Sequence, residues 1–440
     1  MFAKIETCPV DGIYEPFLQA CTNQMYAQTI QSGFLRNHTI KSVMHFTRYN
    51  LLTAILITAI MAAGCNSVET DATESSGTEE DSWLSTSQYG DLRVTKITGP
   101  FEHPWSVAFL PDGRKLVTER PGRLNIVENG HIEEINGLPD MHVQNQGGLM
   151  EVSAHPDFES NGWVYLTYSK PDGEGNTATA LARAQLDGQS LVELEDIFIQ
   201  STYSDPGRHY GSKLAWTIDG KILMSIGDRG VDPPRAQDRN DHAGTLLRLN
   251  DDGSVPDDNP FVGDERALDE IYSYGHRNIQ GLIVHPETGE IWVTEHGPRG
   301  GDELNRIEPG ENYGWPTVTR GLDYRSQNEF PHSEARSMEG MVDPVYEFLP
   351  TLAPAGLAHI SGDHFASQWD DNLLAGGLRA ERIRRLVIDD SQGHHEVIHD
   401  EELLLQEIGR IRDVRVGPDN NLYLLTDKSD GALWRVEPGG

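Results

Sequence analysis

Residues 282–300 read LIVHPETGEIWVTEHGPRG. An apolar run meets a Pro-Glu-Thr-Gly turn, and a second apolar run follows at once. That is the pattern of two antiparallel strands joined by a tight turn. The unit recurs as SVAFLPDGRKLVTER from Ser106, EVSAHPDFESNGWVYLTYS from Glu151 and LAWTIDGKILMSIGDRG from Leu214. A degenerate copy, SGDHFASQWDDNLLAGGL, starts at Ser361, and VRVGPDNNLYLLTD closes the series from Val414. Six hairpins at intervals of roughly 45–80 residues, with no long helical pattern beyond Leu92, predict an all-β, six-bladed β-propeller. A pair of β-sandwiches is the alternative, and six matching hairpins fit it poorly. In a propeller the loops of one face converge on the axis, so residues far apart in sequence meet in one pocket.

Composition narrows the partners. The 440 residues carry 35 Lys and Arg against 69 Asp and Glu, a formal net charge of −34. No basic stripe is available for phosphates, which argues against nucleic acid. Such acidity suits either a saline habitat or simply an acidic exported protein. The three cysteines are Cys8, Cys21 and Cys65. The body of the chain therefore has no disulfide, no cysteine-bound zinc and no thiol nucleophile. It also lacks a G-x-G-x-x-G opening a helix after a strand, so no nicotinamide site is expected.

The first part of the chain reads as an export signal. Leu51–Ala63, LLTAILITAIMAA, is too short to span a bilayer and suits a signal-peptide core. Arg48 precedes it, and Met44 is a plausible start. Ala62, Ala63 and Gly64 lead into Cys65, which resembles the bacterial lipoprotein box, although Ala62 stands where leucine is usual. The alternative is an ordinary secretory signal. The lipoprotein reading makes residues 1–65 a leader and signal, 66–88 an acidic, disordered tether, and 89–440 the catalytic propeller. Asn66 in place of the aspartate linked to inner-membrane retention favours the outer membrane for a periplasmic or cell-surface lipoprotein.

Polar segments beside the hairpins are richer than turns require. They hold Gln146; His209; Asp228; Arg277, Asn278 and Gln280; Glu295, His296, Asp302 and Glu303; Thr351; Arg379; and Arg410 with Arg412. Arg277, Arg410 and Arg412 with Gln146, Asn278 and Thr351 would make a cationic pocket for a small polyanionic or quinonoid ligand. Any one arginine taken alone reads as a surface ion-pair partner; the pocket rests on three of them with polar neighbours at equivalent places in the blades. His209 and Asp228 lie at the two ends of one hairpin, where a carboxylate can orient an imidazole as a general base. The alternatives are a structural histidine and a turn aspartate. Glu303 and the carbonyls near Gly297 and Pro298 offer the hard oxygens that calcium takes, or form only a tight loop.

Taken together, the motifs H-x-G-S-K-L, Y-G-H-R-N-x-Q-G-L, E-H-G-P-R-G-G-D-E-L-N and N-Y-G-W-P resemble the quinoprotein glucose/sorbosone or aldose sugar dehydrogenase family. The resemblance runs from Phe101 to the last hairpin. It implies a six-bladed propeller that binds pyrroloquinoline quinone (PQQ) through Ca2+ and oxidises aldoses at C1 to lactones. It implies His209 as base and Asp228 as its orienting partner. Gln146, Arg277, Asn278, Thr351, Arg379, Arg410 and Arg412 would contact the quinone. Gly297 and Pro298 would ligate its calcium, and Glu303 and Tyr313 a separate structural calcium. An external acceptor, a membrane quinone or a cytochrome, would reoxidise the cofactor. Three departures stand out: Lys213 where many relatives have arginine, Arg379 where glucose-specific members have lysine, and Leu349 in place of an aromatic near the quinone. The last predicts a broad aldose range. Two other classes remain open, a calcium-dependent lactonase and a non-catalytic sugar-binding propeller.

The anchor is testable directly. Cys65→Ala releases the protein from the membrane fraction if Cys65 is acylated; unchanged fractionation contradicts the assignment.

Overall fold

In the stretch VRVGPDNNLYLLTD the chain goes up, turns and comes back. A computed structural model describes residues 81–440 apart from Pro206. In it, Ile411–Val416 pairs antiparallel with Leu422–Thr426, Val416 facing Leu422 across the turn. Asn420 takes the left-handed φ of 60° that this turn needs, a conformation asparagine tolerates. The second strand is buried along its whole length, as expected of a strand packed on both faces.

Twenty-five strands among the described residues repeat this theme in six sheets. The first blade is β3 (Pro104–Phe109), β4 (Lys115–Glu119), β5 (Arg123–Glu128) and β6 (His131–Ile135). The second is β7 (Leu149–Ala154) to β10 (Ser190–Ile199), and the third β11 (Leu214–Trp216), β12 (Ile222–Ile226), β13 (Thr245–Leu249) and β14 (Ile271–Tyr274). The fourth holds β15 (Ile279–Val284), β16 (Ile291–Glu295), β17 (Asp302–Ile307) and β18 (Tyr346–Phe348). The fifth runs from β19 (Pro354–Ile360) and β20 (Asn372–Gly377) to β22 (Glu396–Leu403). The sixth is completed from both chain ends. β23 (Ile411–Val416), β24 (Leu422–Thr426) and β25 (Gly431–Pro438) are joined by β2 (Gly90–Phe101) and β1 (Ser82–Ser87), in the order β1-β2-β25-β24-β23. The expected six-bladed propeller is the observed fold.

Two boundaries differ from the sequence reading. Strand β1 lies inside the segment expected to be a tether to residue 88. Trp83 accounts for this: its ring packs edge-on against Trp434 at 5.5 Å and its indole donates to Glu407 at 2.7 Å. The fifth hairpin does not start at Ser361. Its first strand is Pro354–Ile360, whose small residues PAGLA gave little strand signal, and 361–371 is the connection. The leader, the signal and residues 66–80 of the tether lie outside the described residues.

Between blades, aliphatic side chains of adjacent sheets interlock, as with Leu374, Ile411, Val414 and Leu424 between the fifth and sixth. Each such side chain contributes about 1.5–3 kcal/mol by leaving water. The axis is different. Lys213, at the start of β11, reaches Glu151 of β7 and Asp413 of β23, each at 2.9 Å. Arg415 pairs with the same two carboxylates, and Ser106 of β3 donates to Glu151 at 2.9 Å. Two cations and two anions thus tie four inner strands together.

Removing one member leaves buried charge uncompensated. Asp413→Ala is expected to destabilise the fold by about 3–5 kcal/mol. Thermal unfolding measures this, and an unchanged Tm contradicts the role given to the network.

Candidate active site

Register places the site. In four of the blades the start of the innermost strand pairs with the end of the second, Ile279 with Glu295, Ile411 with Thr426, Pro354 with Gly377 and Pro104 with Glu119, and in the other two it pairs two or three residues short of that end. Residues just before the first strand and just after the second therefore share one end of the propeller. Gln146, His209, Arg277, Asn278, Thr351 and Arg410 are of the first kind. Asp228, Gly297, Pro298 and Arg379 are of the second.

His209 Nδ1 lies 2.6 Å from Asp228 Oδ1. The same carboxylate accepts from the Gly230 amide at 2.8 Å and, through Oδ2, from the Trp315 indole at 2.8 Å. An acceptor at Nδ1 keeps the ring proton there and the lone pair on Nε2. His209 holds a left-handed φ of 52°, a strained conformation for a side-chain-bearing residue and one typical of functional sites. Its backbone amide donates to Gln146 Oε1 at 2.9 Å. Asn278 Oδ1 accepts from the Gly211 amide at 3.1 Å. Gly227 is required beneath it: a Cβ there would stand 2.1 Å from the His209 carbonyl oxygen.

Burial, with the Arg277 charge, pushes the His209 ring below its ordinary range, and the nearby Asp228 carboxylate only partly offsets this. Burial also opposes ionisation of Asp228, but His209, Arg277 and the Gly230 amide outweigh it and hold the carboxyl below its usual range. The pair is a neutral imidazole beside a carboxylate, which can accept a proton at Nε2.

The arginines are not equivalent. Arg277 donates to the His296 carbonyl at 3.2 Å and lies 5.3 Å from the Trp315 ring centre, with no carboxylate on its guanidinium among the described residues. Arg410 and Arg412 share Asp427, at 3.2 and 3.0 Å. Of the three arginines expected in a cationic pocket, two are thus ion-paired, as the alternative reading allowed. Burial opposes ionisation of Asp427, yet Arg412, His103, Arg410 and Arg120 hold it well below the carboxylate range. Arg412 also donates to Gln280 at 3.1 Å, and Gln280 to the Gly211 carbonyl at 2.8 Å, linking this cluster to the His209 loop. Arg379 follows β20 and is exposed.

On the fourth blade Asp302 organises the loop. It accepts from the Gly297 amide at 3.1 Å, from the amides of Leu352 and Ala353 at 3.0 and 2.8 Å, and from the Thr351 hydroxyl. Gly297 and Pro298 are buried, and their carbonyls accept no hydrogen bond among the described residues. Glu303 faces Glu295 on one side and Glu347 on the other. Burial and Glu295 push Glu303 up to about 8. Beside it, Asn305 Oδ1 is buried without a partner. Opposed carboxylates and an orphaned carbonyl fit a hard cation. The Tyr313 hydroxyl is occupied, donating to the Arg306 carbonyl at 2.7 Å and accepting from the Glu308 amide at 2.8 Å. Only its backbone oxygen remains as a ligand.

Asp427, Arg120 and Trp315 were missed as site residues. Asp427 and Arg120 end the second strands of their hairpins as Asp228 does, so superposing the repeats would have found them. A third cluster, His285, His359 and Asp371, lies elsewhere. His285 Nδ1 accepts two backbone amides at 3.2 Å, which leaves its proton on Nε2 facing Asp371. That is a hydrogen-bonded bridge and a poor metal ligand set.

The family described as Glucose / Sorbosone dehydrogenase matches residues 101–435. Aldose sugar dehydrogenase YliI of Escherichia coli is 37% identical over 352 residues, covering 79% of this chain and 93% of that one. A crystal structure of a glucose dehydrogenase superposes with a TM-score of 0.74 at 39% identity, over 78% and 98% of the two chains. The PQQ-bound aldose sugar dehydrogenase of Streptomyces coelicolor superposes at 0.65 and 27% identity, over 79% and 98%. The chain belongs to the glucose/sorbosone dehydrogenase family.

The Glu303 cluster generates a test. Chelator is expected to lower the Tm of the wild type, because an ion bound only to the native state stabilises it. Glu303→Gln is expected to respond less; identical responses contradict a cation at this position.

Proposed function

We propose that the protein is a quinoprotein aldose dehydrogenase that oxidises the C1 hydroxyl of aldoses to lactones, with calcium-held PQQ as acceptor. The observation that carries this reading is the neutral His209 ring beside the Asp228 carboxylate, facing the same mouth as Arg277, whose guanidinium has no carboxylate partner among the described residues. The donor set fits the cofactor. Gln146 and Asn278 spend their carbonyls on backbone amides, which leaves their NH2 groups as donors. Arg277 and exposed Arg379 supply cationic forks for carboxylates, and Arg410 with Arg412 exceed the single charge of Asp427. Thr351 retains its oxygen lone pairs. The undonated carbonyls of Gly297 and Pro298 are hard ligands suited to calcium.

When bound, calcium-held PQQ supplies the two-electron acceptor for the hydride leaving C1. His209 Nε2 accepts the C1 hydroxyl proton. Asp228 keeps the ring in the required tautomer and stabilises the imidazolium that forms. The arginines stabilise the negative charge developing opposite the sugar. Leu349, 63% exposed at the mouth, offers little enclosure and supports a broad aldose range. An external acceptor, a membrane quinone or a cytochrome, removes the electrons, and a lipid anchor on Cys65 keeps the enzyme at the outer membrane. The lactonase reading calls for a metal cage on the axis, and there the charge-balanced pairs of Lys213 and Arg415 speak against it.

His209→Ala is expected to bind PQQ and calcium normally and to lose turnover by roughly 10²–10⁴-fold. Asp228→Asn loses less, and Arg410→Ala loses cofactor affinity first. Quinone titration followed by aldose-dependent dye reduction separates these; near-normal turnover in His209→Ala sinks the base assignment. The pH profile is a further check. The active form has neutral His209, so turnover falls as pH drops through a midpoint below the ordinary 6.5. A midpoint at or above that value contradicts the buried-base reading.

A further inference from the structure

Asp228 belongs to the third blade, but one of its donors comes from the fourth. Its carboxylate is 1% exposed, so every lone pair left without a donor costs free energy. Oδ1 serves His209 and the Gly230 amide. Oδ2 has one donor among the described residues, the indole N–H of Trp315 at 2.8 Å. We infer that Trp315 is a positioning residue of the proton-accepting pair, its N–H fixing the Asp228 carboxylate so that His209 keeps its proton on Nδ1 and its lone pair on Nε2. This rests on the reading of His209 as the base.

Several observations support the assignment. The indole N–H donates only; it neither accepts nor titrates, so it favours the ionised carboxylate over the protonated acid. Trp315 is held at every side. Its amide donates to the Gly275 carbonyl at 2.9 Å, and its own carbonyl accepts from Gln237 at 2.7 Å. Gln237 and Asn312 exchange two hydrogen bonds, at 3.0 and 2.8 Å. Gln237 lies in the β12–β13 connection that also carries Asp228, so one loop carries the carboxylate and anchors its donor. Phe330 packs on the indole at 4.7 Å between ring centres, and Arg277 stands 5.3 Å from its ring centre. The residue is 5% exposed.

Other charged groups near the pair do not replace this donor. Arg277 and Arg208 face His209. Arg208 donates to the Gly230 carbonyl, Arg277 to the His296 carbonyl, and Arg229, next in the chain, to the Arg208 carbonyl and Thr177. None bonds Asp228 Oδ2. The long excursion between β17 and β18 thereby acquires a role: it delivers one hydrogen bond to the neighbouring blade.

The test uses the full chain without cofactor. Histidine ¹⁵N resonances are titrated with pH, and His209 is assigned by its loss in His209→Gln. Trp315→Phe removes the N–H and keeps a ring beside Arg277. An Asp228 oxygen stripped of its donor draws harder on the imidazolium, so the His209 midpoint is expected to rise by about one pH unit. In the reconstituted enzyme, kcat is expected to fall about tenfold while KM for the sugar stays within about twofold. A chain carrying 3-benzothienylalanine at position 315, the same shape with sulfur in place of N–H, reproduces both effects. In Asp228→Asn the Trp315 indole proton resonance moves. If Trp315→Phe does not fold, the benzothienylalanine chain and the indole resonance decide. A His209 midpoint equal to wild type in a folded variant overturns the inference, as does an indole resonance unmoved in Asp228→Asn. Both resonances are read without sugar or quinone, so a failure of sugar oxidation is a separate result.

Discussion

The pairing of β2 with β25 is the constraint on which the mouth of the propeller depends. It runs from Leu92 opposite Pro438 to Phe101 opposite Gly431 and makes the sixth blade from both ends of the chain. A ring of sheets is only as closed as this seam. The candidate site straddles it. His103 enters the first blade and binds Asp427 of the sixth at 2.9 Å, and Asp427 gathers Arg410 and Arg412. Were β2 to detach, this cluster would lose its first-blade partners, and the axial pairs would lose the Ser106 contact.

Electrostatics at that mouth run against the rest of the molecule. The chain carries 69 acidic residues to 35 basic ones, yet Arg277, Arg379, Arg410 and Arg412 meet at one end of the propeller. The strand register collects them, because arginines preceding or opening inner strands and following second strands lie at the same end. Their charge is partly spent on Asp427, and that pairing has a physical function. It keeps two guanidinium groups close together without the full cost of their repulsion, while leaving a net positive charge for an anionic ligand. The neutral His209 belongs to the same balance, since Arg277 and burial both disfavour its protonation.

Much of this was legible in the chain. The repeated strand–turn–strand unit fixes the number of blades, because period-2 apolar runs and Pro-Asp or Asp-Gly turns are local signals. His209 and Asp228 could be paired because one hairpin separates them. Three things were not legible. The PAGLA strand of the fifth blade is made of small residues that carry no strand preference, so tertiary packing decides it. The ion pairing of Arg410 and Arg412 depends on Asp427, at the end of a neighbouring strand. Trp315 sits in the quoted N-Y-G-W-P motif, but its partner is 87 residues away on another blade. Only the folded propeller brings them together.

The proposed reaction requires this mouth to bind a quinone and reduce it with an aldose. The most direct measurement is an absorbance scan of the purified protein mixed with PQQ and calcium, before and after an aldose is added. The bound quinone is expected to convert to its reduced spectrum when sugar is added to the wild type. A reconstituted wild type whose bound-quinone spectrum is indifferent to every aldose would contradict it.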